Sequence, residues 1–265
     1  MIVVAITRWG QPVEQEALAL APLSSLAVYD LKLRLAGPLP VVFERVPDAQ
    51  RARQLLVALR ARGHGAVACD LARVVSSEQM TSPRSYELGA HAFVALDPAW
   101  GQRQMPYVDL LALIRANSAT IEQSSSISKR KKLSLGRAAM TGGLMMRKTT
   151  TTDQRSTAEE REQVLYLIRD NGQDPMLLRE RHLRHQGLGE LVKPTSLENF
   201  GTLVARLRQE APQALYDDRL VTHRRKTGIT QLAGSAADKV TSSSNASEND
   251  LAVHLIAVAH LKGQL

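Results

Sequence analysis

The chain has little of several residue types, and each shortage excludes a class of protein. Its 265 residues include one cysteine, so no intramolecular disulfide can form, which fits a reducing compartment. The sequence has no run of about 18 apolar residues, so no transmembrane helix is predicted. The first ten residues lack the basic start of a secretory signal. Aromatic residues make up only 4%, which limits base stacking as a means of binding nucleic acid. We therefore expect a cytoplasmic protein.

The positive charge is concentrated in one stretch. The chain has 34 Lys and Arg against 26 Asp and Glu, a net charge of +8. Residues 116–157 hold eight basic and two acidic residues, whereas residues 1–115 are close to neutral and residues 158–265 are balanced. We therefore expect near-neutral folded domains and a separate cationic segment. This segment, residues 118–157, is called the basic strap and is predicted to be a disordered, flexible insertion.

Residues 1–74 have the pattern of a small α/β docking module. A β-branched run opens the sequence, and two more apolar runs, VVFERV and AVACD, each follow a helical stretch. Asp48 is placed to cap a helix, and Gly63 is placed to end it. Ser25 is predicted to cap the start of the helix that precedes VVFERV in the sequence. The predicted element order is β-α-α-β-α-β.

Part of this module resembles a known family. The stretch LSSLAVYDLKLRLAGPLPVVFERVPDAQRARQLLVALRARGHGAVACD, residues 23–70, is similar in element order and turn placement to the C-terminal domain of the bacterial ribosomal stalk protein. Relatives of that domain include the Clp-protease adaptor fold. The domain is a protein-docking platform without catalytic residues, so the resemblance implies a partner-binding module. Of the lysine-rich helix by which the family meets its partners, this sequence has only Lys32.

Residues 80–212 are predicted to form a strand-rich α+β domain that the basic strap interrupts. Asn171 and Gly172 lie between two apolar runs, a pattern typical of a type I′ hairpin turn. Thr195 and Glu198 predict a capping box at the start of an amphipathic helix. The predicted buried stripe of that helix consists of Leu197, Phe200, Val204 and Leu207.

The layout of short strands closed by one amphipathic helix resembles a pleckstrin-homology-like barrel. The resemblance implies such a barrel for residues 80–212, and an α+β domain of another topology is the alternative. Residues 213–249 include a stretch rich in Ser, Ala and Gly and are predicted to be a linker. Residues 250–262 are predicted to be a C-terminal helix that is too short to cross a membrane.

Few residues indicate catalysis or a bound cofactor. His182 and His185 have a spacing near that of zinc ligands, but no cysteine pair lies nearby, so we expect solvated histidines. Cys69 falls within an apolar strand and is expected to be a core residue rather than a nucleophile. His64 is attributed to the turn that follows Gly63. No catalytic residue, cofactor or metal is predicted.

The basic strap is the segment best suited to an anionic partner. Each Lys or Arg near an anionic lipid surface contributes about 1 kcal/mol, and the same cations would neutralise nucleic-acid phosphates without sequence preference. Ser134 follows KRKKL and is a candidate phosphorylation site, where a phosphate would cancel positive charge. The residues predicted to contact an anionic surface are Lys129, Arg130, Lys131, Lys132, Arg137, Arg147 and Lys148.

These patterns favour a non-enzymatic cytoplasmic adaptor or scaffold that binds a protein partner, with the strap making weak electrostatic contacts. The alternatives are a non-specific nucleic-acid-associated protein, a peripheral membrane protein and an enzyme of unrecognised type. A further interpretation is that the strap is only a solvated linker. A deep pocket lined by convergent polar groups with shifted pKa values would favour the enzyme.

Overall fold

The chain forms two compact units. The computed structural model describes the backbone of residues 1–133, 147–222, 228–234 and 238–265, and the side chains of these residues outside 122–158 and 223–243. The first unit comprises Met1–Ser118, Glu162–Arg225 and Ala246–Leu265. The second comprises Ala119–Arg161 and Lys226–Asn245. Helices and strands are both abundant, so the predicted α+β class is confirmed.

The first unit begins with the predicted β-α-α-β-α-β order. The elements are β1 (Ile2–Arg8), α1 (Val13–Leu20), α2 (Val28–Leu35), β2 (Val41–Val46), α3 (Ala49–Ala61) and β3 (Gly65–Asp70). The strands form an antiparallel sheet in the order β2-β1-β3. A core between this sheet and the three helices includes Ile6, Leu31, Phe43, Leu55 and Leu59, none of which is exposed.

Local signals set both ends of α3 but not the start of α2. The Asp48 carboxylate accepts a hydrogen bond from the Arg51 amide at 2.7 Å and caps α3 as predicted. Gly63 follows this helix with a φ of 84°, a conformation that favours glycine. The prediction for Ser25 is wrong: the N-cap of α2 is Ala27, and no side chain caps this end. Ser24 instead accepts a hydrogen bond from the Leu26 amide, which turns the preceding loop.

A strand-rich region follows, which lies in the same unit except for the distal parts of its two long strands. It contains the antiparallel sheet β4 (Ser85–Leu88), β5 (Ala92–Asp97) and β6 (Gly101–Pro106), and then β7 (Leu110–Leu133), β8 (Arg147–Arg169) and β9 (Met176–Arg179). Helix α4 (Ser196–Glu210) packs on a core that includes Tyr86, Phe93, Leu165 and Phe200.

Helix α4 confirms the predicted cap and corrects the predicted stripe. Thr195 and Glu198 form the capping box. Phe200, Val204 and Leu207 are buried, but Leu197 is 50% exposed. Leu197 lies in the first turn, ahead of the residues that meet the core, and Leu203 takes the fourth buried position.

The hairpin predicted around Asn171 exists, but its turn is longer. Strands β8 and β9 pair antiparallel, with Leu167 opposite Met176. Six residues separate the strands, too many for a two-residue type I′ turn. Gly172 has a φ of 68° and Asp174 a φ of 44°, whereas Asn171 is not among the described residues with positive φ.

Residues 213–249, predicted to be a linker, contain regular structure. They include β10 (Leu215–Asp218), the short helix α5 (Arg219–Thr222), β11 (Gly228–Gly234) and β12 (Asp238–Ser244). Strand β10 pairs in parallel with β7, with Leu215 opposite Ala112. A Ser-rich composition did not prevent strand formation, because pairing satisfies the backbone of β12.

Helix α6 (Ala246–Leu261) confirms the predicted C-terminal helix and begins four residues earlier. One side of α6 contacts the β7–β8 region through Val253 and Ile256, in a cluster with Tyr166. Another side contacts the three-stranded sheet through Leu255 and Ala259. Residues 1–74 and the following strands therefore share a helix, and the division into compact units places no boundary between residues 74 and 80.

The second unit contains the distal parts of β7 and β8 together with β11 and β12. Strands β11 and β12 pair antiparallel, and β12 pairs with β7 over residues 120–126. Within the basic strap, the backbone of residues 118–133 and 147–157 belongs to β7 and β8. Residues 134–146 lie outside the described part of the chain.

Candidate functional site

Two adjoining cavities beside helix α6 form the candidate site in the first unit. The inner cavity has a volume of about 70 Å³, and the outer cleft has a volume of about 480 Å³. Both are lined by Arg73, Ile168, Gly172, His254 and Ala257, so they share a wall. Three sequence-distant segments meet here: the turn after β3, the β8–β9 loop and α6.

The inner cavity is mostly apolar and contains one buried carboxyl group, that of Asp250. Its Oδ1 accepts a hydrogen bond from the Tyr166 hydroxyl at 3.1 Å, and its Oδ2 accepts hydrogen bonds from the amide and hydroxyl of Ser77 at 2.8 and 3.1 Å. Burial raises the pKa of Asp250, and burial together with Asp250 raises the pKa of Tyr166. Three hydrogen bonds hold Asp250 in place, so it anchors α6 to two other segments.

The outer cleft is lined by two exposed cations, Arg73 and Lys262, and the charge of Arg73 lowers the pKa of both Asp70 and His254. Within the described residues, the side chains of Arg73 and Lys262 make no ion pair or hydrogen bond, and both residues are exposed. Two carboxylates also line the cleft and accept hydrogen bonds from backbone amides, and Asp70 in addition pairs with the N-terminal ammonium group at 3.5 Å. Asp70 accepts a hydrogen bond from the Ala72 amide at 3.1 Å, and Asp170 accepts one from the Asn171 amide at 2.6 Å.

His254 lies between the two cavities on α6, one helical turn after Asp250. Burial, and secondarily the charge of Arg73, lower the pKa of His254 below its usual 6.5. The imidazole is therefore neutral at physiological pH and offers one donor and one acceptor nitrogen to the cleft.

Cys69 also lines the outer cleft but is not an activated nucleophile. Burial raises the pKa of its thiol to about 11, so the thiolate that would attack a substrate is scarce at neutral pH. Its side chain packs with Val3, Val67 and Leu255 in a shared apolar cluster. The site thus combines a hydrogen-bonded carboxyl group, a neutral imidazole and a thiol that is protonated at neutral pH.

A second polar cluster lies within the three-stranded module and links α1 to the end of α3. Glu16 accepts two hydrogen bonds from the Arg62 guanidinium at 2.7 and 2.8 Å. The Gly10 amide donates to His64 Nδ1 at 3.0 Å, so Nε2 carries the ring proton and donates to Glu16 at 2.9 Å. The edge of Trp9 also contacts His64. Glu16, Arg62 and His64 thus bond to one another and join α1 to the end of α3.

His64 is therefore more than a turn residue, and the sequence gives no signal for its partners. Glu16 and His64 are 48 residues apart, and no motif joins them. The other histidines singled out in the sequence do not converge on a metal. His182 is exposed, while His185 Nδ1 lies 3.3 Å from the Tyr86 hydroxyl. Among the described residues no group of His, Cys, Asp and Glu has the arrangement of a metal site.

The residues predicted to contact an anionic surface all belong to the second unit. Lys129, Arg130, Lys131 and Lys132 are part of β7, and Arg147 and Lys148 begin β8. Their side chains lie outside the described set. Ser134 and Arg137 fall in residues 134–146, whose structure is likewise outside it.

The first unit also presents apolar side chains to solvent on α1 and α2. Leu18 is 72% exposed, Tyr29 71% and Leu33 60%. Tyr29 and Leu33 are four residues apart on α2 and so occupy the same helical face. Among the described helices, none combines the length and apolarity needed to cross a bilayer.

Comparison with protein-family models, curated proteins and solved structures finds no match to this chain. The resemblances of residues 23–70 to the ribosomal stalk domain and of residues 80–212 to a pleckstrin-homology-like barrel therefore stay predictions.

Proposed function

We propose that the chain is a non-enzymatic cytoplasmic adaptor: its first unit binds a protein partner, and its second unit contacts an anionic surface. The observation that carries this proposal is the unequal charge of the two units. The second unit has under a quarter of the residues but holds eleven Lys and Arg and five Asp and Glu, a net charge of +6. The first unit holds the remaining +2.

A charge difference of this kind suits electrostatic attachment. Clustered cations attract nucleic-acid phosphates or anionic lipids without base or headgroup recognition, and salt weakens the attraction. The near-neutral first unit adds little to such binding and leaves its surface for a protein. The apolar face of α2 formed by Tyr29 and Leu33 supports that second role, because aromatic and apolar side chains dominate the centres of protein interfaces.

The electrostatic part is tested with a labelled DNA duplex as a generic polyanion. We expect the logarithm of the affinity to fall linearly with the logarithm of salt concentration between about 50 and 200 mM. Replacing Lys129, Arg130, Lys131 and Lys132 together by Gln should make that slope shallower by about 3 to 4. Fluorescence anisotropy measures both quantities.

A matched variant provides the control. Lys32, Arg53, Arg181 and Lys193 are exposed cations of the first unit whose charged groups make no contact with described residues. Their joint replacement by Gln removes the same charge and should leave the slope unchanged. Absence of binding at low salt, or an equal loss in both variants, would contradict the proposal. Sedimentation with anionic and with neutral vesicles then distinguishes a lipid surface from a nucleic acid.

The protein-binding part predicts a partner contact on α2. Cross-linking of the full-length protein in its native cell should give a defined adduct that is lost when Tyr29 and Leu33 are both replaced by Ser. Val57→Ser removes a similarly exposed apolar side chain, 69% exposed, from α3 and should retain the adduct. The same loss in the Val57 variant would indicate non-specific apolar association instead.

A further inference from the structure

The two cavities beside α6 differ in chemistry in a way that suits one type of ligand. The inner cavity is lined mostly by apolar side chains, together with the anchored Asp250 and with Arg73 and His254. Its apolar lining consists of Val75, Met80, Ile168, Pro175, Val253 and Ala257. The outer cleft shares Arg73, His254 and Ala257 with the inner cavity and adds Lys262, and neither cation makes an ion pair or hydrogen bond with its charged group among the described residues.

We propose that this cleft binds a small amphipathic acid, with its apolar chain in the inner cavity and its acid group between Arg73 and Lys262. The site is formed entirely by the first unit and does not depend on the charge of the second. It is distinct from the α2 face assigned to a protein partner, because Tyr29 and Leu33 of that face line neither cavity.

The charges around the cleft favour an anion over a cation. The cleft lining carries three cations, Arg73, Arg169 and Lys262, against the two carboxylates of Asp70 and Asp170, and both carboxylates already accept hydrogen bonds from backbone amides. The Arg169 guanidinium donates to the Gln104 carbonyl at 2.6 Å, whereas Arg73 and Lys262 have no hydrogen-bond partner for their charged groups among the described residues. A guanidinium and an ammonium that face one cleft can both donate charge-assisted hydrogen bonds to a carboxylate. His254 adds a neutral donor at the boundary between the cavities.

The size of the inner cavity favours a chain over a ring system. Roughly 10–15 Å³ of such space accommodates one water molecule, so about 70 Å³ accommodates the end of an alkyl chain. The outer cleft, at about 480 Å³, is wide enough for the remainder of the chain and the acid group. Ligand sites commonly combine a mostly apolar lining with a few polar groups that fix orientation.

Octanoate is a suitable probe, and octanol is its uncharged counterpart. Isothermal titration calorimetry of the full-length protein should show saturable binding of one octanoate per chain, with octanol at least about tenfold weaker, because a charge-assisted hydrogen bond is lost. Replacing Arg73 and Lys262 together by Gln should reduce octanoate affinity at least about tenfold and leave octanol affinity unchanged. Arg53→Gln, an exposed charge change on α3, is the control and should bind octanoate like the wild type.

A second variant tests the inner cavity. Ala257, which is 5% exposed, lines both cavities, and Ala257→Phe should fill the shared wall and abolish octanoate binding. Because this change can also disturb folding, circular dichroism must show a native spectrum before its binding is interpreted. The proposal is overturned if octanoate does not bind at millimolar concentration or if octanol binds equally well. Wild-type octanoate affinity in the Arg73/Lys262 double variant would overturn it independently of the Ala257 result.

Discussion

Glu16 shows how a single charged residue is accommodated inside the first unit. Its side chain is only 2% exposed, yet it accepts hydrogen bonds from Arg62 and from His64. The Arg62 guanidinium holds the pKa of the Glu16 carboxyl at about 2, below its usual 4.5. Burying a charge is costly unless it is paired, and this pairing ties α1 to the turn before β3.

The lowered pKa predicts how stability depends on pH at this residue. A shift from 4.5 to about 2 corresponds to about 3 kcal/mol of the free energy of unfolding. Because the folded pKa lies below the unfolded one, this stabilisation is fully present above pH 4.5 and is lost as the pH falls towards 2. Glu16→Gln should therefore destabilise the protein by about 3 kcal/mol at pH 7, and the difference from wild type should shrink by more than half at about pH 3.

Urea unfolding of both proteins at the two pH values measures this difference. Glu14→Gln removes an exposed carboxylate from the same helix and should have no comparable effect. A destabilisation by Glu16→Gln that stays constant down to pH 3 would show that the charge of Glu16 is not what stabilises the fold.

At the scale of elements, helix α6 has an unusual position. It is apolar on most sides, with eight of its residues buried, and a helix that is hydrophobic all round is normally an interior one. Leu255 faces the three-stranded sheet, while the adjacent Ile256 faces the β7–β8 region. The same helix therefore completes two apolar clusters at once.

Shortening a buried side chain on either face of α6 should strongly destabilise the protein. Leu255 is 1% exposed and Ile256 is fully buried, so replacement of either by Ala should lower the free energy of unfolding by about 2–5 kcal/mol. Leu261→Ala, at a residue that is 55% exposed, should change it by less than about 0.5 kcal/mol. Urea unfolding measures all three variants. A small effect at Leu255 alone would mean that α6 does not stabilise the three-stranded sheet.

Elements set by neighbouring residues could be predicted from the sequence, and elements set by distant partners could not. Asp48, Gly63 and the Thr195–Glu198 pair act within one helical turn, so their patterns identify the helix ends. Strand β12 forms because it pairs with β11 and with β7, and β7 lies more than 100 residues earlier in the sequence. Its own Ser-rich sequence has low intrinsic strand preference and by itself predicts a linker.

The candidate cleft could not be predicted for the same reason. Arg73, His254 and Lys262 come from segments that are remote in the sequence, and none belongs to a recognisable motif. Taken singly, each is an ordinary surface or helix residue. Only the position of α6 against β3 and the β8–β9 loop makes them neighbours.

At the scale of the whole molecule, the first unit is expected to unfold as one cooperative body because α6 belongs to both of its parts. The two tryptophans of the chain report on these parts separately. Trp9 packs against the core of the three-stranded module, and Trp100 packs against the core beneath α4. Trp9→Phe and Trp100→Phe therefore each leave one fluorescent probe in a different region.

In each single-tryptophan protein, circular dichroism measures the stability change that the substitution causes. After correction for that change, the urea transitions followed by tryptophan fluorescence should coincide in the two proteins. Midpoints that differ between fluorescence and circular dichroism within one variant would show that the regions unfold independently, as separate domains do.

The place of α6 in both clusters also has a consequence for synthesis on the ribosome. Val3, Ala5 and Val67 emerge early, but the surface that covers them belongs to residues 246–261. One face of the first sheet therefore stays uncovered until residues 246–261 are synthesised, and contacts between such distant segments form slowly. Nascent chains halted before residue 246 should accordingly engage chaperones that recognise exposed apolar strands, and release should follow once α6 is translated.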